Sequence, residues 1–148
     1  MTDQTSGANI GKYLILFTIT YIIVSVAASV AMQFLELDRN IGLSIGILIG
    51  SAFFIVNKFV ADNSRAPTKG EKHMLIGGSL VAVIAVSVLG LFVISLIEGV
   101  PFGEMLTVFT QIPLSYLAIG AAVILGVNWL VLNLVYGYGA TKIIESRK

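Results

Sequence analysis

Four long apolar runs, separated by short polar breaks, account for most of the chain: residues 13–34, 41–59, 74–97 and 114–138. Each is close to or above the roughly 20 helical residues that cross a hydrocarbon core about 30 Å thick. Strands cross a bilayer only as a closed barrel of alternating segments about ten residues long. The run LVAVIAVSVLGLFVISLI, residues 80–97, is too long and too uniformly apolar for that. Its many Val and Ile favour strands in water, but in lipid a lone span satisfies its backbone hydrogen bonds only as a helix. The pattern therefore predicts an all-α integral membrane four-helix bundle. The polar breaks are too short to bury a core of their own, so residues 1–148 form one transmembrane domain.

Two of the breaks carry further structure. Between the third and fourth runs, Phe102, Met105, Leu106, Phe109 and Ile112 recur at helical spacing after Pro101 and before Pro113. They predict a short amphipathic helix lying on the membrane surface, with an irregular loop or an early start to the fourth helix as the alternatives. Between the second and third runs, Thr68 followed by Glu71 has the spacing of a capping box, in which each side chain takes the other residue's backbone N–H. Ala66, ahead of Pro67, is pushed to extended geometry, and Asp62, Asn63 and Ser64 suit a frayed helix end and turn.

Composition agrees with a membrane protein: 57% of residues are hydrophobic and 11% charged, with a mean hydropathy of +0.96. The net charge of +1 becomes informative once it is divided by side. Four spans put Lys12, Lys58, Arg65, Lys69, Lys72, Lys142, Arg147 and Lys148 on one face and Arg39 alone on the other. Because cytoplasmic loops are enriched in Lys and Arg, both termini are expected in the cytoplasm. Lys12 before an apolar run, with Ser29-Val30-Ala31 at its far end, also has elements of a cleavable signal. The full spanning length of the run favours a retained helix.

Within the polar loop, Arg65, Thr68, Lys69, Glu71 and Lys72 admit two readings. One is a helix cap with a cationic anchor, the lysine stems lying in lipid with their ammonium groups among phosphates. The other makes Arg65, Lys69, Lys72 and His73 an anion site for lipid headgroups or an acidic partner. His73 has no second histidine or cysteine to join it in holding a metal.

A resemblance follows from this loop. Phe59-Val60-Ala61-Asp62, Arg65-Ala66-Pro67-Thr68, Glu71, Leu75 and Gly78-Ser79, with Tyr136-Gly137-Tyr138-Gly139 far downstream, resemble a family of small four-span inner-membrane proteins of Gram-negative bacteria. The resemblance covers nearly the whole chain in layout and implies fold and location. It implies no activity, because none is assigned to that family. Where the family often has His-Gly this chain has Asn63-Ser64, so a role resting on that histidine does not carry over.

Inside the spans, Gly42, Gly46 and Gly50 line one face of the second helix, and Ala118, Ala122 and Gly126 one face of the fourth. Small residues at this spacing let helices approach closely, either within the bundle or across a homo-oligomer or hetero-partner seam. Gly78, Ala82 and Gly90 make a weaker version on the third. Thr18, Thr20, Ser25, Ser29, Ser79, Ser87 and Ser95 can bond back to their own helices. Asn128 and Asn133 cannot satisfy themselves against lipid and are expected to face other helices or a wet cavity. Tyr136 and Tyr138 fall at the headgroup level, and Trp129 is expected to pack inside the bundle.

The chemistry is bounded by what is missing. The chain has no cysteine, and no Asp, Glu, Lys, Arg or His lies deep in any apolar run. Proton-coupled carriers and ion pumps normally need such a group. Glu36, Asp38, Glu98 and Glu104 have no spacing that ties them into an acid–base set. The residues thus point away from an enzyme, a cofactor or a nucleic-acid partner. They favour a non-catalytic protein that contacts membrane lipids and binds or scaffolds a membrane partner, with a small transporter or channel for a neutral solute as the alternative.

Overall fold

A computed structural model describes residues 8–34 and 41–146 of the chain. Among the described residues there are five helices and no strand: α1 (Ile10–Phe34), α2 (Ile41–Asn63), α3 (Lys69–Glu98), the short α4 (Phe102–Thr110) and a long final helix, α5. This last helix runs from Leu114–Leu134 through a π-helical segment, Val135–Gly139, into Ala140–Ser146. Four of the five are long and apolar enough to cross a membrane.

The boundaries follow local chemistry. α3 starts five residues earlier than its apolar run because the capping box forms: the Glu71 amide donates to the Thr68 hydroxyl at 3.4 Å, and the Thr68 amide to the Glu71 carboxylate at 2.8 Å. It ends where Gly99 turns left-handed at φ 69°. The Ser95 hydroxyl donates to the Val100 carbonyl at 2.6 Å, bracing the turn into α4. Phe102 of α4 meets Phe92 of α3 edge-on, with ring centroids 5.9 Å apart. Asp62 and Asn63 are not a frayed end. α2 continues through Asn63 and closes at Ser64, whose φ of 52° lets its amide donate to the Val60 carbonyl at 2.8 Å.

The buried core is concentrated at one end of the bundle. It comprises Tyr13 and Phe17 of α1, Leu48, Ala52, Ile55, Val56, Phe59 and Val60 of α2, Leu75 and Ile76 of α3, and Leu132, Tyr136, Ala140 and Ile143 of α5. Tyr13 and Phe59 pack with ring centroids 5.0 Å apart. Away from this end, large apolar side chains such as Val88, Leu96, Ile119 and Val123 are exposed. Contiguous apolar surface of this extent suits lipid and not water. Trp129 does not pack inside the bundle as its depth in the run implied; it is 45% exposed, on the outward face of α5.

Helix-to-helix closeness comes from a different glycine than the strongest motif indicates. A Cβ built on Gly46, Gly50, Gly90 or Gly126 would meet nothing within 4 Å. At Gly78 it would collide with the end of the Leu14 side chain, so α1 and α3 approach through Gly78. Nor do all the hydroxyls bond to their own helices. Thr18 and Ser87 do, to Leu14 and Val83, but the buried Ser79 shares a 3.0 Å hydrogen bond with the Tyr136 hydroxyl, linking α3 to α5. Tyr136 lies in the π-helical turn, where Gly137 and Gly139 flank the second tyrosine.

Candidate functional site

Two carboxylates organise the end of the bundle where the core lies. Glu71, in the first turn of α3 and ahead of its apolar run, is buried, and four donors converge on it. Arg65 forks onto it at 2.6 and 2.8 Å, the Thr68 amide donates at 2.8 Å, and the Ala8 amide, just before α1, donates at 3.1 Å. Arg65 also donates to the Ala66 carbonyl at 3.1 Å, which fixes the loop. A bidentate arginine is the strongest partner a carboxylate finds among side chains. The Arg65 guanidinium and then the Thr68 and Ala8 amides hold the Glu71 carboxyl down at about 2, against the opposing effect of burial.

Asp62, in the last turn of α2 beyond its apolar run, makes the second cluster. Lys12 of α1 meets it at 2.9 Å and Lys58, one turn back, at 3.1 Å. The Tyr13 hydroxyl donates to it at 3.2 Å while accepting from the Asn63 amide at 2.8 Å. Lys12 and then Lys58 hold the Asp62 carboxyl at about 2, and Asp62 in turn raises Lys12. Between them the two clusters tie α1 to α2 and α1 to α3. Four donors meet Glu71 and three meet Asp62, so both carboxylates are held ionised at neutral pH.

Of the loop residues singled out from sequence, Arg65, Thr68 and Glu71 therefore come together, with the arginine committed to Glu71. Lys69 and Lys72 stay outside the cluster. Lys69 is exposed, its carbonyl within 2.7 Å of the His73 ring nitrogen Nδ1, and the Lys72 ammonium lies 3.6 Å from where a Cβ on Gly137 would stand. Lys12, Tyr13 and Ala8 were missed as partners. The signal available in sequence was only that a tyrosine and a lysine open the first apolar run.

The second feature is a cavity of about 410 Å³ between the four long helices. Tyr21 of α1, Ser44, Ile45 and Leu48 of α2, Val83 and Ser87 of α3, and Val123, Ile124, Val127 and Asn128 of α5 line it. Asn128 reaches this groove, whereas Asn133, half-buried, is not among its walls. Gly42, Ala118 and Ala122 lie on exposed helix faces, as do Gly46, Gly50 and Gly126. Among the described residues no three His, Asp or Glu side chains are grouped to hold a metal ion.

These features describe a helical protein with four candidate spans, which suggest a multi-pass membrane protein, pinned at one end and grooved between its helices. Compared with protein-family models, with curated proteins and with solved structures, the chain matches none.

Proposed function

We propose that this chain is a non-catalytic, multi-pass protein of the bacterial inner membrane that binds a membrane-resident partner between its long helices. The observation that carries the reading is the groove of about 410 Å³, to which all four spans contribute. The pinned end serves as the rigid base: its core and its two carboxylate clusters fix the helices so that their remaining length stands as walls. The lysine- and arginine-rich loop and both termini lie on the cytoplasmic side by the distribution of charge. The resemblance to small four-span inner-membrane proteins agrees with this placement and brings no activity with it.

A conduit for neutral solutes is the less favoured reading. A conduit needs a path through the pinned end, and there Phe17, Ile55, Phe59, Leu132 and Tyr136 are all buried. The open surfaces at Gly46 and Gly50 are free for a neighbouring helix, which suits a protein that assembles with others.

Because the chain has no cysteine, single cysteines report uniquely. Nitroxide labels at Val127→Cys, in the groove, and Ile119→Cys, on the lipid face, are compared in native-membrane nanodiscs and after purification into pure phosphatidylcholine. Occupation by a partner predicts that Val127→Cys is immobilised and shielded in the native membrane and released after purification, with Ile119→Cys unchanged. Equal behaviour of the two positions in both settings removes the proposal. A reporter fused after residue 148 that is active only outside the cytoplasm reverses the orientation.

A further inference from the structure

The polar groups of the groove are all uncharged: the hydroxyls of Tyr21, Ser44 and Ser87 and the amide of Asn128. Ser87 donates back to Val83, but no side chain of another described residue reaches Tyr21, Ser44 or Asn128 with a hydrogen bond. The Tyr21 ring is held in place by stacking on Phe17, centroids 5.8 Å apart. Asn128 lies about 21 Å along α5 from Leu114 at 1.5 Å per residue, well inside the apolar run. At that depth there is little water to take up an amide's hydrogen bonds, and leaving them unmade is costly.

A second, independent observation lies on α2. Ser51 is fully buried and, among the described residues, its hydroxyl has no hydrogen-bond partner. It follows Ser44 by seven residues and Leu48 by three, so the three share one helical face. Ser51 does not line the groove; its unmet hydroxyl lies in the core on the helix face that carries Ser44 and Leu48. A mostly apolar cavity with a few convergent polar groups is the general form of a small-molecule site.

We infer that the groove binds a compact, uncharged, largely apolar molecule carrying one or two hydrogen-bonding groups, such as a hydroxyl, carbonyl or amide, seated against Tyr21 and Asn128. A charged ligand finds no counter-ion, since no Asp, Glu, Lys, Arg or His lines the groove. A plain hydrocarbon leaves the amide and the phenol unpaired. This names the occupant of the groove and rests on the partner-binding reading.

The test uses the full chain in phosphatidylcholine nanodiscs and three photoactivatable probes built on one aryl trifluoromethyl diazirine: the parent, its hydroxymethyl derivative and its carboxylate. The hydroxymethyl probe is expected to label Leu48, Val83, Val123 or Val127 roughly tenfold more than the parent does, the ratio that one retained hydrogen bond gives. The carboxylate is expected to label the groove no more than it labels the lipid-facing Phe53 and Ile119. Asn128→Leu and Tyr21→Phe are each expected to cut the hydroxymethyl preference several-fold while leaving unfolding midpoints in place. Should Asn128→Leu unfold the protein, Tyr21→Phe, which removes one oxygen only, decides the matter. Equal groove labelling by parent and hydroxymethyl probes overturns the ligand class and leaves an apolar guest. Absence of any groove labelling above the lipid face overturns the partner-binding reading as well.

Discussion

Replacing Glu71 tests the pinned end most directly, because one side chain there closes bonds to three other residues, two in the loop before α3 and one ahead of α1. Glu71→Ala removes the acceptor for both Arg65 nitrogens, for the Thr68 amide and for the Ala8 amide. Breaking a fully buried ion pair from one side costs about 3–5 kcal/mol, because the surviving charge is left unsolvated. Here the Arg65 side chain is 41% exposed and regains water, so that range is an upper bound. The Thr68 hydroxyl still caps the helix, but the two orphaned amides each forfeit a bond of about 1 kcal/mol. The expected loss is about 3 kcal/mol for Glu71→Ala. Glu71→Gln keeps the length and one carbonyl oxygen, which suffices for a capping box, and is expected to cost about half as much. Unfolding by sodium dodecyl sulfate titration in mixed micelles, followed by near-ultraviolet circular dichroism, measures both. Arg65→Ala and the double variant complete the cycle and isolate the pair. A Glu71→Ala protein within about 0.5 kcal/mol of the wild type, or a Gln variant as unstable as the Ala one, refutes the assignment of Glu71 as the fastener.

The pH dependence has a definite sign. The Glu71 carboxyl is lowered from 4.5 to about 2 in the folded protein, so its stabilisation is complete above about pH 4.5 and is lost as pH falls toward 2. A titration over that window shows the loss in wild type and a flatter profile in Glu71→Gln. At Ser64, held at φ 52°, a non-glycine residue pays for its left-handed backbone. Ser64→Gly is expected to raise stability by about 0.5–1 kcal/mol in the same assay. The glycines separate by surroundings: Gly78→Val drives side-chain atoms into Leu14 and is expected to cost about 1–3 kcal/mol, whereas a Cβ at Gly50 meets nothing within 4 Å and Gly50→Ala is expected not to lower the midpoint. Raising salt to about 1 M shortens the Debye length to about 3 Å and is expected to abolish any effect of Asp62→Asn, whose lysine partners are half-exposed, more readily than that of Glu71→Ala.

The amino-acid sequence by itself determined that there would be four helices of spanning length, where their apolar stretches lie, and that Thr68 and Glu71 would begin the third. Those features are local: hydropathy and backbone hydrogen bonding in lipid permit one answer for each run, and a capping box needs only residues three apart. What Glu71 does beyond its own helix was not legible. Arg65 and Ala8 reach it through the loop and from before α1, and no spacing rule links residues 8 and 71. Choice of contact among equivalent motifs was likewise left to the tertiary structure. Gly46 and Gly50 have the stronger small-residue pattern, yet Gly78 makes the close approach, because which faces meet depends on how α1 is drawn in by its ties to Asp62 and Glu71. The groove at Asn128 belongs to the same category: an intramembrane amide can be read from a sequence, but the space beside it exists only because four helices held at one end leave room between them farther along.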